Sequence, residues 1–307
     1  MPATPRATRG AVSEEALRGE RAILTGCLLD ILIGIVTLVA AFWGNSLTLL
    51  GECVRGGLLI ILELVLLVLL RRINRGTIAD YDYGTRKLEQ FANLVVGIAM
   101  ILGALWLLSG VARRLDTIQV QSATGMAFGA VAALANLAIN GWVFYLLWRS
   151  SRGGTSIIVN GQLLSRLSKV IASALVAVAV LVNASAGPEG IGHWADIVGT
   201  MVVVTVMLSF GARMIQQSLP HLIDRALNDR QQATINRALA ASFDAYDELL
   251  AVRTRTQGSD AWIEIEVGFA PDRSIGEVHR LAEEMAAEIR QVIPGAQVLV
   301  IPRAVGA

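Results

Sequence analysis

Six apolar stretches, each long enough to cross a bilayer, dominate the chain at 22–43, 47–70, 91–112, 126–148, 157–182 and 194–216. A helix needs about 20 mostly apolar residues to span roughly 30 Å of hydrocarbon, so each stretch predicts a transmembrane helix. The first lacks a small-residue cleavage pattern after its apolar run and is expected to remain as a span. After about Ser218 the periodicity changes. The pattern there predicts a helix over 229–246, a strand over 249–256, a turn at 257–260 and an alternating strand over 262–269. A second helix follows, opened by Ser274 with Glu277 at capping-box spacing, and then a short strand over 297–301. The fold class expected is therefore an α-helical membrane protein, a six-helix bundle followed by a small α+β cytoplasmic domain of α-β-β-α-β order. The domains are a disordered tail over 1–20, a transmembrane domain over 21–217 and the cytoplasmic domain over 218–307.

Composition strengthens the membrane reading. Of 307 residues, 54% are hydrophobic and 17% charged, more apolar side chain than the polar coat of a soluble domain could cover. With 26 Lys and Arg against 25 Asp and Glu, the net charge of +1 offers no basic field, and no nucleic-acid partner is expected. Cys27 and Cys53 lie in apolar runs and form no CxxC, which excludes a disulfide scaffold or a cysteine zinc knot. The absence of HExxH, GxSxG and GxxxxGK argues against an enzyme, and no cofactor is expected. Most glycines, including the Gly125/Gly129 pair at GxxxG spacing, read as small-residue helix contacts.

Arg71, Arg72, Arg75, Arg86 and Lys87 crowd the segment between the second and third spans, whereas 44–46 and 183–193 carry no Lys or Arg. By the positive-inside rule both termini are cytoplasmic. Arg149 and Arg152 agree with this orientation, and Arg113 and Arg114 run against it.

Charges at membrane depth are costly, about 2.5–3.5 kcal/mol each on insertion scales, so their distribution is informative. Spans three and four contain none. Asp30 lies in the first, Glu52, Arg55 and Glu63 in the second, Arg166 and Lys169 in the fifth, and Asp196 in the sixth. Spans one, two, five and six are thus expected to surround a polar pathway, with three and four packed elsewhere. Glu63, Arg166 and Asp196 fit ion pairs or snorkelling side chains near helix ends. Arg55 and Lys169 lie deeper and point to a site-defining role, with Lys169 a candidate proton carrier.

Six spans, the segment Tyr83-Gly84-Thr85-Arg86-Lys87-Leu88-Glu89, the stretch Leu222-Ile223-Asp224-Arg225-Ala226-Leu227 and the α-β-β-α-β tail together resemble the cation diffusion facilitator family. The resemblance implies a homodimeric transporter in the lipid bilayer, here the bacterial inner membrane, exporting divalent metal ions in exchange for protons. It also implies a metallochaperone-like cytoplasmic domain. Relatives place two metal ligands four residues apart on the second span and two on the fifth, a spacing that lets facing helices build a tetrahedral zinc cage. Those transport-site positions fall here on Arg55 and Leu59, and on Ser165 and Lys169. None is a usual metal ligand, so the four-ligand zinc site is expected to be missing. Asp30, Glu52, Asn160 and Gln162 remain as acceptors, either to bind a cation or proton one turn away or to neutralise Arg55 and Lys169.

The resemblance thins at secondary sites. Thr85 or Arg86 stands where some relatives have histidine, and Ile301 where a terminal histidine is expected. His193, His221 and His279 are isolated and read as packing or surface residues. Lys87 and Asp224 match the positions of a salt bridge near the dimer junction of relatives, where burial would make it decisive. The function expected is a divalent cation/proton antiporter with an altered site. The alternative is a transport-poor relative acting as a dimeric partner or regulator, and a weaker third is an anion or organic-solute site at Arg55 and Lys169.

Overall fold

The computed structural model describes residues 14–75, 86–115, 122–151, 157–186, 191–257 and 260–305. Six long helices among these are apolar enough to cross a membrane. They are α1 (Glu14–Gly44), α2 (Leu47–Asn74), α3 (Arg86–Leu115), α4 (Ala123–Ser151), α5 (Ile157–Ala186) and α6 (Ile191–Leu222). Leu49, Met100, Leu107, Val180 and Met207 are fully buried among them. Leu32, Phe42, Leu102 and Val131 instead lie on the outside, an apolar surface suited to lipid rather than water.

α1 starts earlier than the apolar pattern suggests. The tail expected over 1–20 is helical from Glu14, and residues 1–13 lie outside those described. Good helix formers carry the chain back from the membrane, and Glu20 is buried, accepting from Asn74 Nδ2 at 2.9 Å and pairing with Arg71 Nε at 3.5 Å.

Glycines permit the closest helix approaches. A Cβ on Gly125 of α4 would sit 2.5 Å from the backbone carbonyl of Trp43 on α1, and one on Gly211 of α6 would sit 2.7 Å from the Gly97 carbonyl oxygen on α3. In lipid, where apolar burial does not drive association, such backbone contact is a principal source of packing. Gly125→Leu is expected to separate α1 from α4 at a cost of about 1–3 kcal/mol or more, measured as a lower melting temperature of the detergent-purified protein.

The second compact unit comprises residues 86–91 with 216–305. It contains α7 (Asp229–Ala241), β1 (Glu248–Gln257), β2 (Asp260–Phe269), α8 (Ile275–Val292) and β3 (Gln297–Ala304). The sheet order is β1-β2-β3, antiparallel then parallel, with Trp262 opposite Gln297 and Phe269 opposite Ala304. Ala261, Ile263, Ile265, Val267 and Phe269 alternate into a core completed by Ile235 and Leu239 of α7 and by Met285 and Ile289 of α8. Ser274 caps α8, its Oγ accepting from the Glu277 N–H at 3.3 Å.

β1 and β2 run into the turn expected at 257–260, and two further boundaries differ from the sequence expectation. The helix expected over 229–246 ends at Ala241, a 3₁₀ turn spans Phe243–Ala245, and Tyr246 is extended. Tyr246 is buried and donates its hydroxyl to the Leu239 carbonyl at 3.1 Å, a tertiary anchor that overrides helical continuation. The last strand runs past Ile301 to Ala304, because Pro302 sits on an edge strand where its missing N–H costs no ladder bond on the open side.

Candidate functional site

Within the membrane unit, α1, α2, α4 and α5 line a half-open cavity of about 350 Å³. Its polar lining includes Asp30, Glu52, Arg55, Asn136, Asn140 and Lys169, set among aliphatic side chains of α1 and α2, Leu59 included. Glu52, Arg55 and Leu59 share one face of α2 because three- and four-residue steps return to the same side of a helix.

Arg55 donates to Glu52 through both Nε, at 2.9 Å to Oε2, and Nη2, to Oε1. The two side chains are only 9% and 7% exposed, so the pair has lost its water and depends on this bidentate geometry. Asn136 Nδ2 lies 3.4 Å from the same Oε1. Asn140 Nδ2 donates to Asn136 Oδ1 at 3.1 Å and to Ser173 Oγ at 3.0 Å, so a polar chain runs from α5 through α4 to the Glu52 carboxylate on α2. Lys169 on α5 pairs with Glu63 on α2, Nζ to Oε1 at 3.3 Å, and the Cys27 thiol approaches Glu63 Oε2 at 3.7 Å.

The pathway therefore differs from the expected helix set. α4, whose apolar stretch 126–148 holds no charge, contributes Asn136 and Asn140, while Asp196 of α6 serves another purpose. Asp196 is 2% exposed and caps the start of α2. It accepts from Ser46 Oγ at 2.6 Å and from the N–H groups of Leu47 and Thr48 at 3.0 and 3.2 Å, while Arg114 of α3 donates to it at 2.7 Å. Arg114 also reaches Asn45 Oδ1 at 3.0 Å, so this arginine, which ran against the positive-inside count, serves as a structural tie.

Of the residues singled out in sequence, Arg55, Leu59, Lys169, Asp30 and Glu52 come together at the cavity. The side chains of Asn160, Gln162, Ser165 and Arg166 lie outside those described, as do Thr85 and the 258–259 turn. Lys87 Nζ and Asp224 Oδ2 meet at 2.9 Å. Their side chains are 46% and 39% exposed, so in the single chain the burial expected of this pair is missing and it acts as a surface bridge, worth about 0–1 kcal/mol. His279 is exposed, whereas His193 is buried edge-on against Trp194.

Sequence reasoning missed the amides of α4 and the partner of Lys169. The first had a legible signal, since Asn136 and Asn140 stand four residues apart in an otherwise apolar span. The second had none, because Glu63 and Lys169 are 106 positions apart.

Among the described residues no group of three or more His, Cys, Asp or Glu side chains is arranged to hold a metal ion. The donors lining the cavity are carboxylate, amide and hydroxyl oxygens and the Cys53 thiol, with no imidazole among the described residues.

Residues 23–223 match the family described as the cation efflux transmembrane domain, and 227–300 match the cation efflux protein cytoplasmic domain. The chain is 24% identical over 272 residues to the cation-efflux pump FieF of Pectobacterium atrosepticum, covering 88% of this chain and 87% of that protein. It is 24% identical over 220 residues to the uncharacterized transporter sll1263 of Synechocystis, covering 72% and 69% respectively. A solved structure of the putative zinc transporter CzrB aligns at 23% identity and a TM-score of 0.25, covering 26% of this chain and 99% of that one.

Proposed function

The chain belongs to the cation diffusion facilitator (cation efflux) family, and from that membership we propose that it is a divalent cation/proton antiporter with an altered ion site. As a family member it is an integral membrane cation-efflux transporter with a cytoplasmic α+β domain, and not an enzyme. The observation that carries the proposal is the cavity between α1, α2, α4 and α5, where Asp30 and Glu52 offer carboxylates beside the Asn136 and Asn140 amides. Arg55, Leu59, Ser165 and Lys169 take the seats of the usual ligands. The ion then rests on Asp30 and Glu52, with Asn160 as a further acceptor, and Lys169 paired with Glu63 carries the exchanged proton. Both termini face the cytoplasm of a bacterial cell.

The proposal is tested by uptake of Zn²⁺ and Mn²⁺ into proteoliposomes across a proton gradient. Wild type is expected to transport at least one of them, and Glu52→Ala to reduce uptake at least tenfold. Uptake indifferent to Glu52→Ala contradicts the assigned path. Wild type that transports no divalent ion supports the second reading, a dimeric partner or regulator, which is favoured by one observation: both oxygens of Glu52 are already engaged by Arg55.

A homodimer is part of the same proposal, with the exposed Lys87–Asp224 pair covered at its junction. Lys87→Glu is expected to shift the protein towards monomer in light scattering, and the added Asp224→Lys exchange to restore the dimer. A single exchange that leaves the mass unchanged removes this role.

A further inference from the structure

Among the described residues of the membrane unit, four buried or half-buried ion pairs differ in what they join, Glu20–Arg71 tying α1 to α2. Asp196–Arg114 ties α6 to α3, and Lys169–Glu63 ties α5 to α2. Arg55–Glu52 joins two residues three positions apart on one helix, and its link to a neighbour runs through Asn136 of α4, 3.4 Å from Glu52 Oε1. A desolvated ion pair seldom stabilises a fold more than apolar residues of the same shape, and one within a single helix does not even fix the helix's neighbours. The intrahelical fork by itself therefore gives no account of why this guanidinium lies in the interior.

The cavity does give one. Arg55 stands in its wall with a long, flexible stem, and the open volume beside it leaves room for the guanidinium to swing off the carboxylate. While seated, it engages both oxygens of the one acid that Asn136 also reaches, at Oε1.

Resting on the antiporter reading above, we infer that Arg55 is a resident cation in the ion seat, which a transported ion must displace from Glu52, and that the uncovered site selects oxygen-seeking divalent ions such as Mn²⁺ over Zn²⁺. The selectivity follows from the lining. Asp30, Glu52, Asn136 and Asn140 supply oxygen donors, and no histidine lines the cavity among the described residues. The sulfur present, on Cys53, directs its thiol at the Gly34 carbonyl of α1, 3.9 Å away. Carboxylate, carbonyl and water suit Mg²⁺, Ca²⁺ and Mn²⁺, whereas Zn²⁺ favours imidazole and thiolate. Arg55 thus sets a threshold: only an ion that gains more from Glu52 than a bidentate guanidinium does will enter.

The test is ion-dependent thermal stabilisation of the full-length protein in nanodiscs, with MnCl₂ and ZnCl₂ as probes. Arg55→Gln is expected to respond to Mn²⁺ at concentrations at least tenfold lower than wild type, with a smaller gain for Zn²⁺. Adding Glu52→Gln is expected to abolish the gain while leaving a folded, neutral pair of amides. An Arg55→Gln dose dependence equal to wild type, a gain that survives Glu52→Gln, or a larger gain for Zn²⁺ overturns the inference. Where Arg55→Gln fails to fold without ions, Arg55→Lys decides: it keeps the charge but loses the bidentate fork, and its expected few-fold gain must again require Glu52. An unchanged dose dependence in Arg55→Lys is equally fatal. Because the readout is binding, failure here is separable from failure of the antiporter reading. Wild type that transports while Arg55→Gln binds no better sinks only this inference, and wild type that never transports while Arg55→Gln gains affinity sinks only the other.

Discussion

Asp196→Ala is expected to cost the membrane unit about 3–5 kcal/mol and to lower the melting temperature by roughly 10 °C, followed by tryptophan fluorescence of the purified protein. One carboxylate performs two tasks there. It accepts the Leu47 and Thr48 N–H groups that open α2, which have no intrahelical partner, and it neutralises Arg114 in a site where the arginine side chain is 13% exposed. Alanine removes the acceptor of those N–H groups and the counter-charge of Arg114 at once, leaving the arginine its bond to Asn45 Oδ1. Asp196→Asn is expected to fall between, because an amide oxygen still accepts one cap bond while the charge facing Arg114 is gone. A melt of Asp196→Ala within about 2 °C of wild type would show that water or another acceptor replaces the carboxylate, and the tie between α2, α3 and α6 would lose its assigned role.

Lys169→Ala should uncouple transport from protons. Its ammonium faces Glu63 on α2, with Cys27 of α1 hydrogen-bonded to the same carboxylate and Asp30, Glu52 and Arg55 in the shared cavity. On the antiporter reading, removing it takes away the group proposed to carry the exchanged proton and leaves Glu63 without its partner. In proteoliposomes, uptake driven by a pH gradient is expected to fall at least tenfold and its pH dependence to flatten, while uptake down the ion's own gradient falls much less. A variant with full uptake and an unaltered pH profile would assign the proton to another group. Glu63→Ala supplies the comparison: it strands the ammonium at membrane depth and is expected to impair both modes.

Much of the architecture was legible because it depends on sums over many residues. Six spans follow from runs of apolar side chains whatever their partners, and the β2 core follows from the alternation of Ile263, Ile265 and Val267 with polar neighbours. The Ser274 cap is equally local. What escaped depends on single pairings between distant positions. The Asp196 carboxylate finds Ser46 across 150 residues and Arg114 across 82, and nothing in a hydropathy profile joins them. Counting only charges also hid α4, whose Asn136 and Asn140 bring polarity to the cavity without any formal charge.

The tail shows how tertiary contacts move boundaries. Residues 14–20 read as part of a disordered tail in sequence, but Glu20 has Asn74 to accept from, and the helix extends accordingly. Tyr246 ends α7 by the opposite effect, leaving the helix to reach the Leu239 carbonyl.

The proposed transport requires water and ions to reach the half-open polar cavity beside Arg55. Cys53 lines that cavity, and the chain's other thiol, Cys27, is buried. In Cys27→Ser protein reconstituted into liposomes, Cys53 is predicted to react with a small cationic methanethiosulfonate reagent, and Mn²⁺ to slow the reaction in Arg55→Gln more than in the otherwise unaltered protein. A Cys53 that stays unmodified in the folded protein, yet reacts once the protein is denatured, would contradict the account.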